Sequence, residues 1–188
     1  MKINNFSDQA HTTGLYLPTR TMFLTGEVGI EMYENVITNL HILDTQPGTV
    51  KIYINSGGGD VTQAWAIYDA IRAMKCMVRC VVFGEASSAA SLILQAGDDR
   101  ILTPNSEMMI HVGEEGYEQN HPKNVENWFM RSREVEEKMK DVYLKRIKEK
   151  KPRFTKKKFE ELWMFDKILK PKESVALGLA DKILEGSL

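Results

Sequence analysis

Long hydrophobic runs, cysteine and net charge are all scarce in this chain. No apolar stretch among its 188 residues approaches the roughly 20 that a membrane-crossing helix needs. The polar start, MKINNFSDQAHTTGLYLPT, lacks the basic n-region and apolar h-region of a secretory signal. A soluble protein that stays in the cytoplasm where it is made is expected. The formal charge is −1, which gives no electrostatic reason for nucleic acid or an anionic membrane as the main partner. Residues 145–158 do hold nine Lys or Arg against one Glu, but with few aromatics this reads as a solvated helix face. Only two cysteines occur, Cys76 and Cys80. Four residues of strand span about 13 Å, beyond the roughly 7 Å that a disulfide tolerates between Cα atoms. Two reduced core thiols are expected, and no metal-ligand spacing accompanies them.

Several nucleotide and hydrolase signatures are missing too. INSGGGD (54–60) has no following Gly-Lys-Ser/Thr, so it is not a P-loop, and Thr62 stands where a dinucleotide fingerprint needs its third glycine. No G-x-S-x-G occurs, which excludes the α/β-hydrolase elbow.

What is present is an alternation of strands and helices. At 43% hydrophobic, the chain is rich enough to bury one sizeable core, and one domain is the natural expectation. TMFLTGEV (21–28), VKIYINS (50–56), MVRCVVF (77–83), RILT (100–103) and EMMIHV (107–112) read as strands. Residues 30–43 carry apolar side chains at helical spacing, and Asp60 is placed to cap a helix beginning DVTQAW. Near-continuous apolar strands alternating with helices predict an α/β fold with a parallel sheet covered on both faces. Residues 124–150 form one long charged helix, 155–163 a second with Thr155 as cap, and 171–178 a third ended by Gly178.

Two places invite chemistry. Three glycines at 57–59 offer backbone N–H groups without Cβ bulk, suited to approach a developing anion or simply to make a tight turn. In CVVFGEASSAAS (80–91) an apolar strand stops at Gly84 and a helix starts near Ser87 or Ser88. Free N–H groups and the helix dipole at such a start favour negative charge. A serine nucleophile needs a base. His11, His41 and His121 lie in polar or amphipathic contexts, whereas His111 ends an apolar strand, where catalytic groups of parallel folds gather. Many carboxylates are available to orient it. Asp166 stands out between apolar residues in WMFDKIL, though periodicity does not select it.

Four motifs in order resemble the ClpP family of self-compartmentalised serine peptidases. YINSGGGDVTQAWAIYDAI resembles the family's strand, glycine turn and helix, usually INSPGGSVTAG. GEASSAAS resembles GMAASMGA, PNSEMMIH matches PNS-x-x-MIH, and FDKILKPKESVALGLAD is similar to the segment carrying the acidic triad member. The resemblance runs from FLTGEV (23–28) to GLADKIL (178–184). It implies a ClpP/crotonase-like repeated ββα spiral with a protruding helical handle at about 124–150. An N-terminal axial arm at 1–20 would precede a single peptidase domain at 21–188. It implies Ser88 as nucleophile, His111 as base and Asp166 as acid, 23 and then 55 residues apart. The oxyanion donors fall on the backbone N–H groups of Gly59 and Ala89, leaving Ser87 and Ser91 as small packing residues. It further implies heptameric rings paired as a tetradecamer, an AAA+ Clp ATPase that feeds polypeptide substrates, and no metal or organic cofactor.

Departures from the family pattern bear on activity. Gly57 replaces a proline, Asp60 a serine, Ala89 a methionine and Glu85 an apolar residue. The segment between His111 and Asp166 is several residues longer than usual, and GEEGY (113–117) is more acidic than the family's glycine-rich strand. Alternative readings are a ring subunit whose triad is misaligned, a crotonase-like acyl-CoA enzyme, and a capsid-maturation peptidase with the same chemistry.

Overall fold

The computed structural model describes residues 5–113 and 121–186, with side chains from residue 8 onward. Residues 114–117 of the expected acidic glycine-rich strand lie outside the described residues. The chain opens with α1 (Asn5–Thr13), β1 (Leu15–Tyr16) and a 3-10 turn (Leu17–Thr19). Then come β2 (Thr21–Val28), α2 (Ile30–Leu43), β3 (Val50–Gly59), α3 (Val61–Arg72), β4 (Val78–Ser87) and α4 (Ala89–Ala96). The remainder is β5 (Asp99–Leu102), β6 (Glu107–Ile110), α5 (Pro122–Lys150), α6 (Lys156–Trp163), β7 (Lys167–Leu169), α7 (Pro171–Leu177) and β8 (Lys182–Ile183). This is the expected α/β architecture of the ClpP/crotonase-like kind.

The sheet runs β1-β2-β3-β4-β5-β8, parallel from β2 to β8, with β1 antiparallel at its edge. β4 serves two neighbours. Arg79–Val82 pair with β5, whereas Glu85–Ser87 pair with β6. The change of partner falls at Gly84, whose φ of +83° is open to glycine and strained for other residues. A Cβ there would also collide with the Asn55 side-chain amide, which accepts from Glu85 N at 3.3 Å. Beyond this point β4 continues into the serine stretch, paired with β6 and, after a register shift, still with β3 at Ser56 and Ala86.

Fully apolar strands supply the core: Ile52, Ile54, Cys80, Val82 and Leu102 are completely or almost completely buried. α2 packs on β2, α4 on β3 and β4, and α3 between α2 and α4. All eight residues of α4 are buried, which explains its small and apolar composition. Asp60 caps α3 as expected, its Oδ1 accepting from Gln63 N at 2.9 Å, and Thr155 caps α6 by accepting from Lys158 N at 3.3 Å. Gly178 ends α7 with φ +92°. Several boundaries differ from the sequence expectation, and β4 does not stop at Gly84 but runs on to Ser87, with α4 starting at Ala89. β3 continues through the glycines to Gly59, because β2 keeps pairing with it at Glu27 and Val28. β4 begins at Val78, so Cys76 precedes the strand while Cys80 lies inside it, and both are free thiols. Along α5, buried residues begin only at Glu136, so its leading half stands clear of the core. No helix among the described residues is long and apolar enough to cross a membrane.

Candidate active site

Ser88 stands where β4 hands over to α4. Its φ is +52° and ψ −123°, a conformation that a non-glycine residue adopts only when the surroundings hold it there. Three bonds do so. Ser88 N donates to Met109 O on β6 at 2.8 Å, while Ser91 N at 3.0 Å and Ser91 Oγ at 2.6 Å both donate to Ser88 O. The hydroxyl is left free to meet His111, with Ser88 Oγ 2.7 Å from Nε2. His111 directly follows β6, whose pairing with β4 sets the two side chains side by side. On the far side of the ring, Nδ1 lies 3.2 Å from Asp166 Oδ1.

The three expected residues therefore converge, but unequally. The His111 side chain is 20% exposed and that of Asp166 73% exposed. The serine–histidine contact is short and sheltered. The histidine–carboxylate contact is long and open to water, where screening weakens it.

The glycine turn backs directly onto this serine. Gly58 has φ +101°, and a Cβ there would lie 2.7 Å from Ser88 Cβ, 2.8 Å from Ser87 O and 3.0 Å from Ala89 N. Only glycine permits so close an approach of two backbones. Gly57, by contrast, has open space around it, the nearest atom to an added Cβ being Glu85 Oε1 at 3.9 Å. Gly59 and Ala89 line one cleft of about 430 Å³ together with Ser88, His111 and Asp60. The Asp60 carboxylate thus sits at the cleft while capping α3.

The family model for Clp protease matches residues 7–187. This chain belongs to the Clp protease family. It is 30% identical, over 173 residues, to the ATP-dependent Clp protease proteolytic subunit of Deinococcus radiodurans. That match covers 90% of this chain and 82% of the relative.

Around Ser88, His111 and Asp166, the sequence left several neighbours unmarked. Ser91 and Ser87 are buried, as packing residues would be, yet both hydroxyls are committed to hydrogen bonds. Ser91 Oγ meets Tyr143 OH at 2.7 Å, and Ser87 Oγ donates to Glu85 Oε2 at 2.6 Å. The family's apolar position at 85 is thus filled by a carboxylate that bonds the serine turn. Burial pushes the Tyr143 phenol above its ordinary range, so it stays protonated in spite of Ser91. Tyr143 also starts an aromatic wedge with Phe159 and Trp163, their ring centroids 5.5–6.0 Å apart. β7 pairs Lys167 with Ile110 of β6 and so brings the preceding Asp166 to His111, while the wedge docks α6 against α5. Lys156 on α6 reinforces it, with Nζ 2.6 Å from Glu137 Oε2 on α5. Hydrogen bonds from Lys156 and then Lys140 hold the Glu137 carboxyl down at about 2. Most of the rest of the cleft comes from α5 and α6, through Ser132, Val135, Glu136, Met139 and Trp163, with Val61 and Gly113 completing it. A helix read from sequence as a charged handle therefore forms one wall of the site. Its signal was the apolar series Val135, Met139, Tyr143 at four-residue spacing within a charged background.

Proposed function

We propose that this chain is a serine-type endopeptidase that cleaves unfolded polypeptides inside an oligomeric chamber. The observation that carries the reading is the 2.7 Å contact between Ser88 Oγ and His111 Nε2, with Ser88 held at φ +52°. In this mechanism His111 Nε2 takes the Ser88 proton as Oγ bonds to the scissile carbonyl carbon. The carbonyl oxygen becomes an oxyanion facing the N–H groups of Gly59 and Ala89. The carbon–nitrogen bond breaks, and the amine leaves with the proton from His111. Water, deprotonated by the same nitrogen, then hydrolyses the ester and restores Ser88. Asp166 orients the imidazole through Nδ1.

Assembly into paired heptameric rings, a tetradecamer, and delivery of substrate by an AAA+ Clp ATPase are part of the proposal, supported by family membership and by the relative's name. Residues 21–188 act as one peptidase domain behind an arm at 1–20. Two free thiols suit a reducing cytoplasm.

The test is intact-mass analysis after fluorophosphonate treatment. One adduct on the parent, absent from Ser88→Ala, is the expected result. No adduct on a properly assembled ring favours a second reading, a non-catalytic ring subunit, for which the 73% exposure of Asp166 speaks.

A further inference from the structure

We propose that Glu136 makes the cleft beside Ser88 a receptor for a cationic side chain, so that this chain cleaves preferentially after lysine or arginine. The inference rests on the reading of Ser88 as nucleophile. Glu136 lies in the same cleft as Ser88 and His111, and its side chain is only 11% exposed. Its Oε2 is shut off from solvent with no hydrogen bond, and no donor among the described residues bonds the carboxylate. Arg133 Nη1 stands 3.5 Å from Oε2 without bonding it. That guanidinium is 61% exposed and lies over the Phe129 ring at 5.9 Å. A buried carboxylate with no hydrogen bond, and only a long ion pair to an exposed arginine, is costly to keep.

The cleft around it has two kinds of wall. Val135, Met139 and the Trp163 ring give apolar surface, with the buried Trp163 Nε1 an unbonded donor, and Asp60 lines the glycine turn while its Oδ1 caps α3. A lysine or arginine side chain matches both, with an apolar stem and a charged tip. A peptide whose carbonyl is within reach of Ser88 Oγ has the adjoining side chain nearest to this cleft. Leucine would desolvate Glu136 further with only the long Arg133 pair to offset it, and a glutamate would meet like charge.

The test uses the assembled full-length chain and has two arms. The first follows p-aminobenzamidine, a fluorescent aryl cation, which needs no chemistry at Ser88. The parent and Ser88→Ala should bind it alike, Glu136→Gln at least tenfold more weakly, and Arg133→Ala, which removes the competing cation, severalfold more tightly. The second compares fluorogenic peptides differing only in Lys, Leu or Glu before the scissile bond. The order of kcat/KM should be Lys, Leu, Glu, and the Lys-to-Leu ratio should fall at least tenfold in Glu136→Gln. Probe binding indifferent to Glu136, or Leu preferred over Lys, overturns the inference and leaves the peptidase intact. Binding that depends on Glu136 without hydrolysis of any peptide overturns the peptidase reading and supports the cation site. Should Glu136→Gln fail to assemble, Arg133→Ala decides: tighter binding supports the inference, and unchanged binding overturns it.

Discussion

Replacing Gly58 by alanine should disable the site more than its small size suggests. The added methyl would start 2.7 Å from Ser88 Cβ and 2.8 Å from Ser87 O. Carbon atoms rest at about 3.5–4.0 Å, so the serine turn must retreat by about 0.8 Å or the glycine turn must move away from it. Misplacement of a reacting group by about 1 Å costs about a hundredfold in rate. The φ of +101° adds backbone strain of about 1–3 kcal/mol, several degrees in Tm for a chain of this size. The assay pairs the rate of fluorophosphonate labelling with thermal melting, and Gly57→Ala serves as control. Gly57 is next in sequence, yet the nearest atom to its added Cβ is 3.9 Å away, so labelling should stay within about twofold of the parent. Labelling of Gly58→Ala at the parental rate would refute the claim that these two backbones are in enforced contact.

Other perturbations separate the parts of the site. Asp166→Asn should lower kcat by only about tenfold, because a charged hydrogen bond worth about 1.5–3 kcal/mol is discounted at an exposed carboxylate; a loss of a thousandfold or more in steady-state assays would show that Asp166 is enclosed in the working enzyme. Glu137→Gln should melt below the parent at neutral pH. The Glu137 carboxyl is held at about 2, below its ordinary 4.5, so its contribution is present above 4.5 and lost as pH falls from there toward 2. The difference in Tm should close across that window, and a difference persisting at about pH 2 would contradict the Lys156 and Lys140 clamp. Burial pushes the Cys80 thiol up to about 12, with Asp98 adding to the effect. Alkylation of the native chain should therefore reach Cys76 first, with Cys80 reacting only after denaturation, as counted by mass; equal labelling of both would be the contrary result.

Strands and helices were legible wherever local pattern and burial agree. The apolar strands, the Asp60 and Thr155 caps and the Gly178 terminus depend on near neighbours in sequence, and they sit where their residues predict. The course of β3 through Gly57–Gly59 was not legible, because its cause is β2, thirty residues upstream. Ser88 and His111 could be nominated from chemistry and from family resemblance, and they meet at 2.7 Å. Asp166 stood out between apolar residues but could be named by resemblance alone. Met164 and Phe165 are exposed, at 62% and 76%, so Asp166 gains no cover from them. Tyr143 and Glu136 read as ordinary members of a charged helix. The apolar series through Tyr143 marked a buried face, but what that face meets, Ser91 for Tyr143 and the cleft for Glu136, is set by the long-range docking of α5.

The pairing of β6 with β7 also ties Asp166 to His111 through one ladder. Ile110 stands opposite Lys167, so His111 and Asp166 leave the two strands side by side, each one residue beyond that pair. Leu169, at the end of β7, lies in the same hydrophobic core as Phe159, Trp163 and β4. The histidine–carboxylate contact is therefore set by backbone registry, although the carboxylate itself is 73% exposed. A slip of this ladder would part His111 from Asp166 and leave Ser88 and His111 in contact. β7 is only three residues long, so its amide exchange should outpace that of β4 and should report how often Asp166 is in place.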